Sequence, residues 1–236
     1  MPRVKKEETE KKTKKKMKPI QSIKGTKDIL PPEQFVWDHI LRSAATMCEN
    51  FGFGRIETPI MESTDLFKRG VGQVTDIVEK EMFSFETQGG DKVSLRPEGT
   101  AGVVRSYIEN GMSKWTQPVR LYYAGAMFRY DKPQKGRYRQ FHQIDAEVFG
   151  EKDPAVDAEI IEMADTMLRI LGVTGTETLV NSVGCKTCRP AYARALRTQA
   201  EKVRDGLCED CRRKIETNPL RIFDCKAFVN FRKLAN

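Results

Sequence analysis

Apolar residues recur at helical spacing through Val36, Ile40, Ala44, Met47 and Phe51. A period near 3.6 predicts a helix from Pro31, with Gly52 as its stop. A second stripe, Ile160, Ala164, Met167, Leu168 and Leu171, follows Asp153-Pro154 and ends at Gly172. It predicts another helix packed on a core, its methionines acting as gap fillers. Glu81 to Glu86 and Lys92 to Arg96 read as strands around the turn Gln88-Gly89-Gly90-Asp91, a hairpin signal. Pro97 fits a first helical turn, and Ala101 to Ile108 continue that helix up to Gly111. Arg55 to Met61 reads as one strand whose Pro59 suits an edge or an end. Glu177 to Val183 supplies a further strand. No repeat of solenoid type is present.

The stretch Met127 to Glu147, MFRYDKPQKGRYRQFHQIDAE, places two strand-like runs around a basic loop. Side chains alternate between faces on a strand. The odd positions Arg129, Asp131, Arg139, Phe141, Gln143, Asp145 and Glu147 therefore share one face, while Phe128, Tyr130, Ile144 and Val148 share the other and pack. Arg129, Arg137 and Arg139 offer planar forks that match phosphate oxygens, and Lys132 and Lys135 add point charges. Phe141 offers a flat face to a purine, and Gln143 and Glu147 offer an amide and a carboxylate to a small polar substrate. Taken alone, the loop reads better as a hairpin with a solvated basic turn. Glu98, at a strand-to-helix corner, is placed to steady the helix dipole.

Charge and cysteine add two features that periodicity does not reveal. The chain has 236 residues and a formal charge of +8. Residues 1–18 hold nine Lys/Arg against three Glu, a net +6, which leaves +2 for the remainder. That arm has almost nothing to bury and is expected to be disordered; it either grips RNA phosphates weakly or serves as a solubilising extension. No apolar run spans a bilayer, and no apolar h-region follows the basic start, so the expectation is a soluble, cytoplasmic protein. Five of six cysteines lie in the last quarter. Cys185-x-x-Cys188 and Cys208-x-x-Cys211, with 19 residues between the pairs, have the spacing of a structural four-thiolate zinc site. Reduced thiols in a helical insertion are the alternative, with Cys225 either spare or an alternate ligand and Cys48 a buried apolar residue. The helix between the pairs carries Arg189, Arg194, Arg197 and Lys202, which invites RNA.

Phe128-Arg129-Tyr130-Asp131 with Arg137-Tyr138-Arg139-Gln140-Phe141 resembles motif 2 of class II aminoacyl-tRNA synthetases, and RYRQFHQ followed by Glu147 resembles the histidyl-tRNA synthetase family specifically. Leu95-Arg96-Pro97-Glu98-Gly99-Thr100-Ala101-Gly102 is similar to that family's amino-acid-binding segment. Gly52 to Ile60 resembles motif 1 with its proline. A match in several blocks, spanning Ile20 to Lys226, is more specific than any single pattern.

The resemblance implies an α+β fold, a largely antiparallel sheet with flanking helices and a partly helical C-terminal insertion. The expected division is a tail at 1–18, a partial catalytic core at 19–183, a Cys-rich module at 184–226 and an atypical tail at 227–236. The implied activity is ATP-dependent activation of histidine and transfer to tRNA(His), with Mg²⁺ accompanying the ATP. Arg129 is then catalytic and binds ATP together with Asp131, Arg137 and Phe141, although Glu is commoner than Asp at position 131. Glu98, Thr100, Gln143 and Glu147 bind histidine. His142, on the opposite strand face, has no role. The edge around Pro59 forms a homodimer interface, and cysteine pairs of this kind lie near the tRNA acceptor stem in some family members. The family's histidine-specific arginine segment and its motif 3 have no counterpart here, so an N-terminal half with little activity alone is expected. Two alternatives are the non-catalytic regulatory paralogue of ATP phosphoribosyltransferase, which should lack the arginine set, and a zinc-stabilised RNA-binding fragment.

Overall fold

A computed structural model of the chain describes residues 19–70, 81–132, 134–182 and 184–225. The arm at 1–18 and the segment 227–236 lie outside the described residues. Helix α1 spans Pro31–Asn50 with proline in its first turn, where a missing N–H costs no hydrogen bond. Gly52 follows its C-cap, Phe51, with a left-handed φ of 78° that suits glycine. Ala44, Met47 and Cys48 are buried on it, whereas Val36, at the start of the expected stripe, is exposed.

Strand β1 (Gly54–Arg55) pairs in parallel with β5 (Val119–Phe128), and β5 pairs antiparallel along its whole length with β6 (Gln140–Phe149). A second antiparallel sheet has the order β2-β4-β3, from Met61–Ser63, Lys92–Leu95 and Ser84–Glu86. The fold is therefore α+β, and its strands form two small sheets. Arg55 to Met61 is not one strand: its ends join different sheets, and Pro59 lies in the connection, where a missing amide donor costs no ladder bond. The hairpin at 84–95 forms as expected, with Gly90 at φ 87° in its turn.

Helix α2 (Thr64–Gly70) follows β2, and α3 (Thr100–Glu109) follows β4. Pro97 precedes α3 and is fully buried, so it packs as core and does not open the helix. Helix α4 spans Pro154–Ile170, and Asp153 Oδ1 accepts from the Ala155 amide at 2.9 Å as its N-cap. Its buried side chains are Met163 and Met167, with Ile160 and Leu171 packed beside them. Ala164 and Leu168 face out, so the stripe is turned from the expected phase. Met163 fits it because 160, 163, 167 and 171 are spaced three and four apart.

The even face of the β5–β6 pair, Tyr122, Ile144, Ala146 and Val148, packs on α1 and α4. The odd face contributes Val119, Leu121, Tyr123 and Met127 to a second cluster with Val103 of α3. Tyr130 lies beyond β5 and is 53 % exposed, which corrects its assignment to the packed face. Its ring instead meets Phe83 edge-on, with centroids 5.5 Å apart.

The chain divides into two compact units at Thr176 and Glu177. The second holds α5 (Cys188–Lys202), α6 (Glu209–Thr217) and a 3-10 turn at Pro219–Asp224. Glu177 to Ser182 form no strand; Leu179 and Val180 are 82 % and 73 % exposed, and no described strand pairs with them. Alternating apolar residues become a strand only when another strand accepts their hydrogen bonds. Val183 lies outside the described residues. No helix among the described residues is long and apolar enough to cross a membrane.

Candidate active site

Arg96 fastens the two sheets together. Its Nε donates to the Ala126 carbonyl at 3.0 Å and its Nη1 to the Thr58 carbonyl at 2.8 Å, while its amide donates to Ile60. Burial pulls this guanidinium below the usual arginine value. Room for it exists because position 125 is glycine: a Cβ there would overlap Arg96 Nη2.

The strap that follows, Pro97 to Thr100, lies across the odd face of β5 and β6. Glu98 Oε1 accepts from the Ala101 amide at 3.0 Å and so caps α3. Gly99 passes so close to the Tyr123 ring that no Cβ fits there. Thr100 Oγ1 donates to Glu147 Oε1 at 2.7 Å. The strand register sets Tyr123 opposite Asp145, Gly125 opposite Gln143 and Leu121 opposite Glu147.

Three buried polar atoms on this face, Tyr123 Oη, Gln143 Oε1 and Asp145 Oδ2, have no hydrogen-bond partner among the described residues. The Tyr123 hydroxyl stands in the field of Thr100 and Asp145 without meeting hydrogen-bond geometry, and burial, then Asp145, pushes the phenol well above its usual range. Burial also raises the Asp145 carboxyl, against the neighbouring Tyr123 hydroxyl, which lowers it; Glu98 raises it further, and Arg129 opposes the rise. Glu147 is raised by burial first, against the Thr100 bond, with Asp145 and Glu98 adding to the effect. Buried polar atoms normally find partners, so orphans grouped on one strand face mark room for a ligand. A neighbouring cleft of about 530 Å³ is lined by Glu98, Thr100, Ala101 and Val104 together with Leu66, Arg69 and Gly70.

Arg129 Nε donates to the Pro97 carbonyl at 2.8 Å, and its guanidinium lies 5.1 Å from the Phe141 ring centroid. Arg129 and Phe141 are thus brought together beside the carboxylates. Arg137 and Asp131 instead face one another, in a 3.0 Å ion pair at the loop. Arg139 sits on the Tyr130 ring at 3.9 Å and donates to the Lys24 carbonyl, and its amide donates to Gly25. Its fork is engaged with the segment before α1, not held open for a phosphate. His142 is on the far face against Trp37, with centroids 4.6 Å apart, and burial lowers its pKa.

Sequence reasoning missed Tyr123 as part of the site, and it gave no individual role to Asp145, placed only on the ligand face, or to Arg96 and Gly99, placed only within the amino-acid-binding segment. Asp145 carried a signal, since it shares the odd positions with Gln143 and Glu147. Tyr123 carried none without the register.

The cysteines are grouped differently from the expected four-thiolate set. Cys185 and Cys188 pair with each other, their sulfurs 3.5 Å apart. Cys208, Cys211 and Cys225 form a separate group whose sulfurs all lie within 4.8 Å. Spacing along the chain suggested two pairs, but the turn at Pro219–Asp224 returns Cys225 to α6.

The family model described as "Histidyl-tRNA synthetase" matches residues 25–209. This chain belongs to the histidyl-tRNA synthetase family. It is 47% identical over 207 residues to a histidine--tRNA ligase of Halothermothrix orenii, covering 88% of this chain and 49% of the relative. A Geobacter sulfurreducens histidine--tRNA ligase is 51% identical over 208 residues, covering 88% and 50%. The crystal structure of the apo histidyl-tRNA synthetase of S. aureus superposes with a TM-score of 0.69 at 38% identity, over 86% of this chain and 48% of that one. A Bacillus halodurans structure titled as an ATP phosphoribosyltransferase regulatory subunit/histidyl-tRNA synthetase reaches 0.62 at 22% identity, covering 84% and 55%, a likeness of fold alone. The chain spans about half the length of the histidyl-tRNA synthetases it matches.

Proposed function

We propose that this chain carries the histidine-binding and part of the ATP-binding surface of a histidine--tRNA ligase. The observation that carries the reading is the convergence of Glu98, Asp145 and Glu147 with the unpartnered Tyr123 Oη and Gln143 Oε1 beside Arg129. Three half-buried carboxylates close to one another favour a ligand with an ammonium and a ring N–H, since each buried charge needs an opposite charge or a donor. Histidine offers both. Its α-ammonium goes to Glu98 and Thr100, and its imidazole N–H to Glu147, with Gln143 orienting the ring. Its carboxylate is then held for attack on the α-phosphorus of ATP, releasing pyrophosphate and leaving histidyl-adenylate for transfer to tRNA(His).

Arg129 is the residue placed to stabilise negative charge that grows at the α-phosphate, because its fork is held between Pro97 and Phe141 and needs no reorganisation. Phe141 offers its ring to the adenine and Asp131 a carboxylate to the adenine amino group. Arg137 reaches the outer phosphates by leaving Asp131, a half-exposed pair of modest strength. Mg²⁺ arrives with ATP, held by phosphate oxygens. Pro59 lies next to Ile60 and Met61, which are 48 % and 57 % exposed, and these three support a homodimer contact there. The site of action is the cytoplasm. On α5, exposed Arg189 and Arg194 are available to tRNA phosphates, whereas Arg197 holds the Ile215 and Glu216 carbonyls of α6.

The regulatory-paralogue reading draws on fold likeness alone, and the arginines of the basic loop stand against it. The deciding experiment is histidine-dependent ATP–pyrophosphate exchange. These 236 residues alone should stay near background, because the reactants lose fixed geometry when part of the phosphate clamp is absent. Adding the C-terminal half of a close relative in trans should restore exchange. No exchange from a folded, reconstituted pair, or none dependent on histidine, would remove the reading.

A further inference from the structure

The three thiols of Cys208, Cys211 and Cys225 come from the two ends of one small hairpin. Cys208 is the N-cap residue of α6, Cys211 lies in its first turn, and Cys225 closes the 3-10 turn at Pro219–Asp224. Cys211 is fully buried among Leu196, Ala200, Leu207, Ile215 and Ile222, and Cys225 packs on the same cluster. The Cys208 and Cys225 sulfurs are 3.7 Å apart, and all three lie within 4.8 Å of one another. A disulfide requires about 2.05 Å. A tetrahedral zinc ion with Zn–S bonds of about 2.3 Å sets its sulfurs about 3.8 Å apart, so Cys208 and Cys225 already have the spacing of ligands, and Cys211 lies within 4.8 Å of both. Small units with a thin core commonly need such a staple.

We propose that Cys208, Cys211 and Cys225 bind one soft divalent cation of the zinc class, which clamps the start of α6 to the turn at Pro219–Asp224. The three thiols give up their protons to the solvent as the ion binds. Three sulfurs leave the fourth position to a water molecule. Cys185 and Cys188 take no part, since they pair with each other and stand outside the group. This site is independent of the aminoacylation reading, because it lies in the second unit and serves the stability of that unit.

The test is a Co²⁺ titration of the full chain, reduced and freed of metal, followed by displacement with Zn²⁺. One equivalent should bind with a thiolate-to-cobalt charge-transfer band, and zinc should erase the band and raise the melting temperature. The double variant Cys185→Ser/Cys188→Ser should bind as tightly as the parent. Cys225→Ser should weaken binding more than about 100-fold, beyond the loss typical of an outer-shell change. Cys225→His, which restores a ligand, should recover much of it and so separates lost coordination from lost folding. Absence of a band in the folded parent would overturn the proposal, as would binding that survives Cys225→Ser or disappears in the double variant.

Discussion

Thr100 Oγ1 donates to Glu147 Oε1 at 2.7 Å and joins the first residue of α3 to β6 across 47 positions of sequence. The bond fixes one carboxylate oxygen and leaves the other for a ligand. Glu147→Gln, in a family member of full length, should therefore weaken histidine by about tenfold or more, the loss of a charge-assisted bond, and leave ATP affinity unchanged. Calorimetry with each substrate checks this. Equal losses for both would indicate a folding defect.

Arg129 acts on charge that is present only as the α-phosphate is attacked. Arg129→Ala, in a complete enzyme, should lower the exchange kcat about 10²-fold or more with a much smaller effect on histidine binding. A rate near that of the parent would take Arg129 out of the mechanism.

Gly99 leaves no room for a Cβ against Tyr123. Gly99→Ala should cost about 1–3 kcal/mol, the usual range for overpacking, and, in a complete enzyme, raise KM for histidine as Tyr123 is displaced. Urea unfolding measures the first effect and exchange kinetics the second; an unchanged midpoint would show that the strap can move aside.

Asp145 is held above the usual carboxyl range, chiefly by burial. A raised folded pKa means that the folded chain binds this proton more tightly than the unfolded one. The stabilising contribution is complete below the unfolded value and is lost as pH rises through the folded value. Asp145→Asn should consequently raise the melting temperature near neutral pH, with a gain that fades as pH falls toward about 4, the ordinary aspartate value. Thermal melts across that range decide it: a gain independent of pH would rule out burial of the charge as its cause.

Features set by neighbours along the chain were legible without a structure. The extents of α1 and α4 follow from apolar period, N-terminal proline and a closing glycine, all within one helix. The hairpin at Ser84–Glu86 and Lys92–Leu95 follows from its glycine turn. The division of Arg129, Phe141, Gln143 and Glu147 from Ile144 and Val148 follows from the pleat, which sends alternate side chains to opposite faces whatever lies beyond them. Partners remote in sequence were not legible in that way. Tertiary packing split Arg55 to Met61 between two sheets, left Glu177 to Ser182 without a described strand to accept its hydrogen bonds, and rotated α4 so that Met163 faces the core. It also seated Arg139 on Tyr130, set Tyr123 opposite Asp145 and returned Cys225 to Cys208. Each of these depends on which distant segment arrives. A ladder bond, a buried guanidinium and a thiol cluster exist only once the chain has closed on itself, and local periodicity carries no record of that closure.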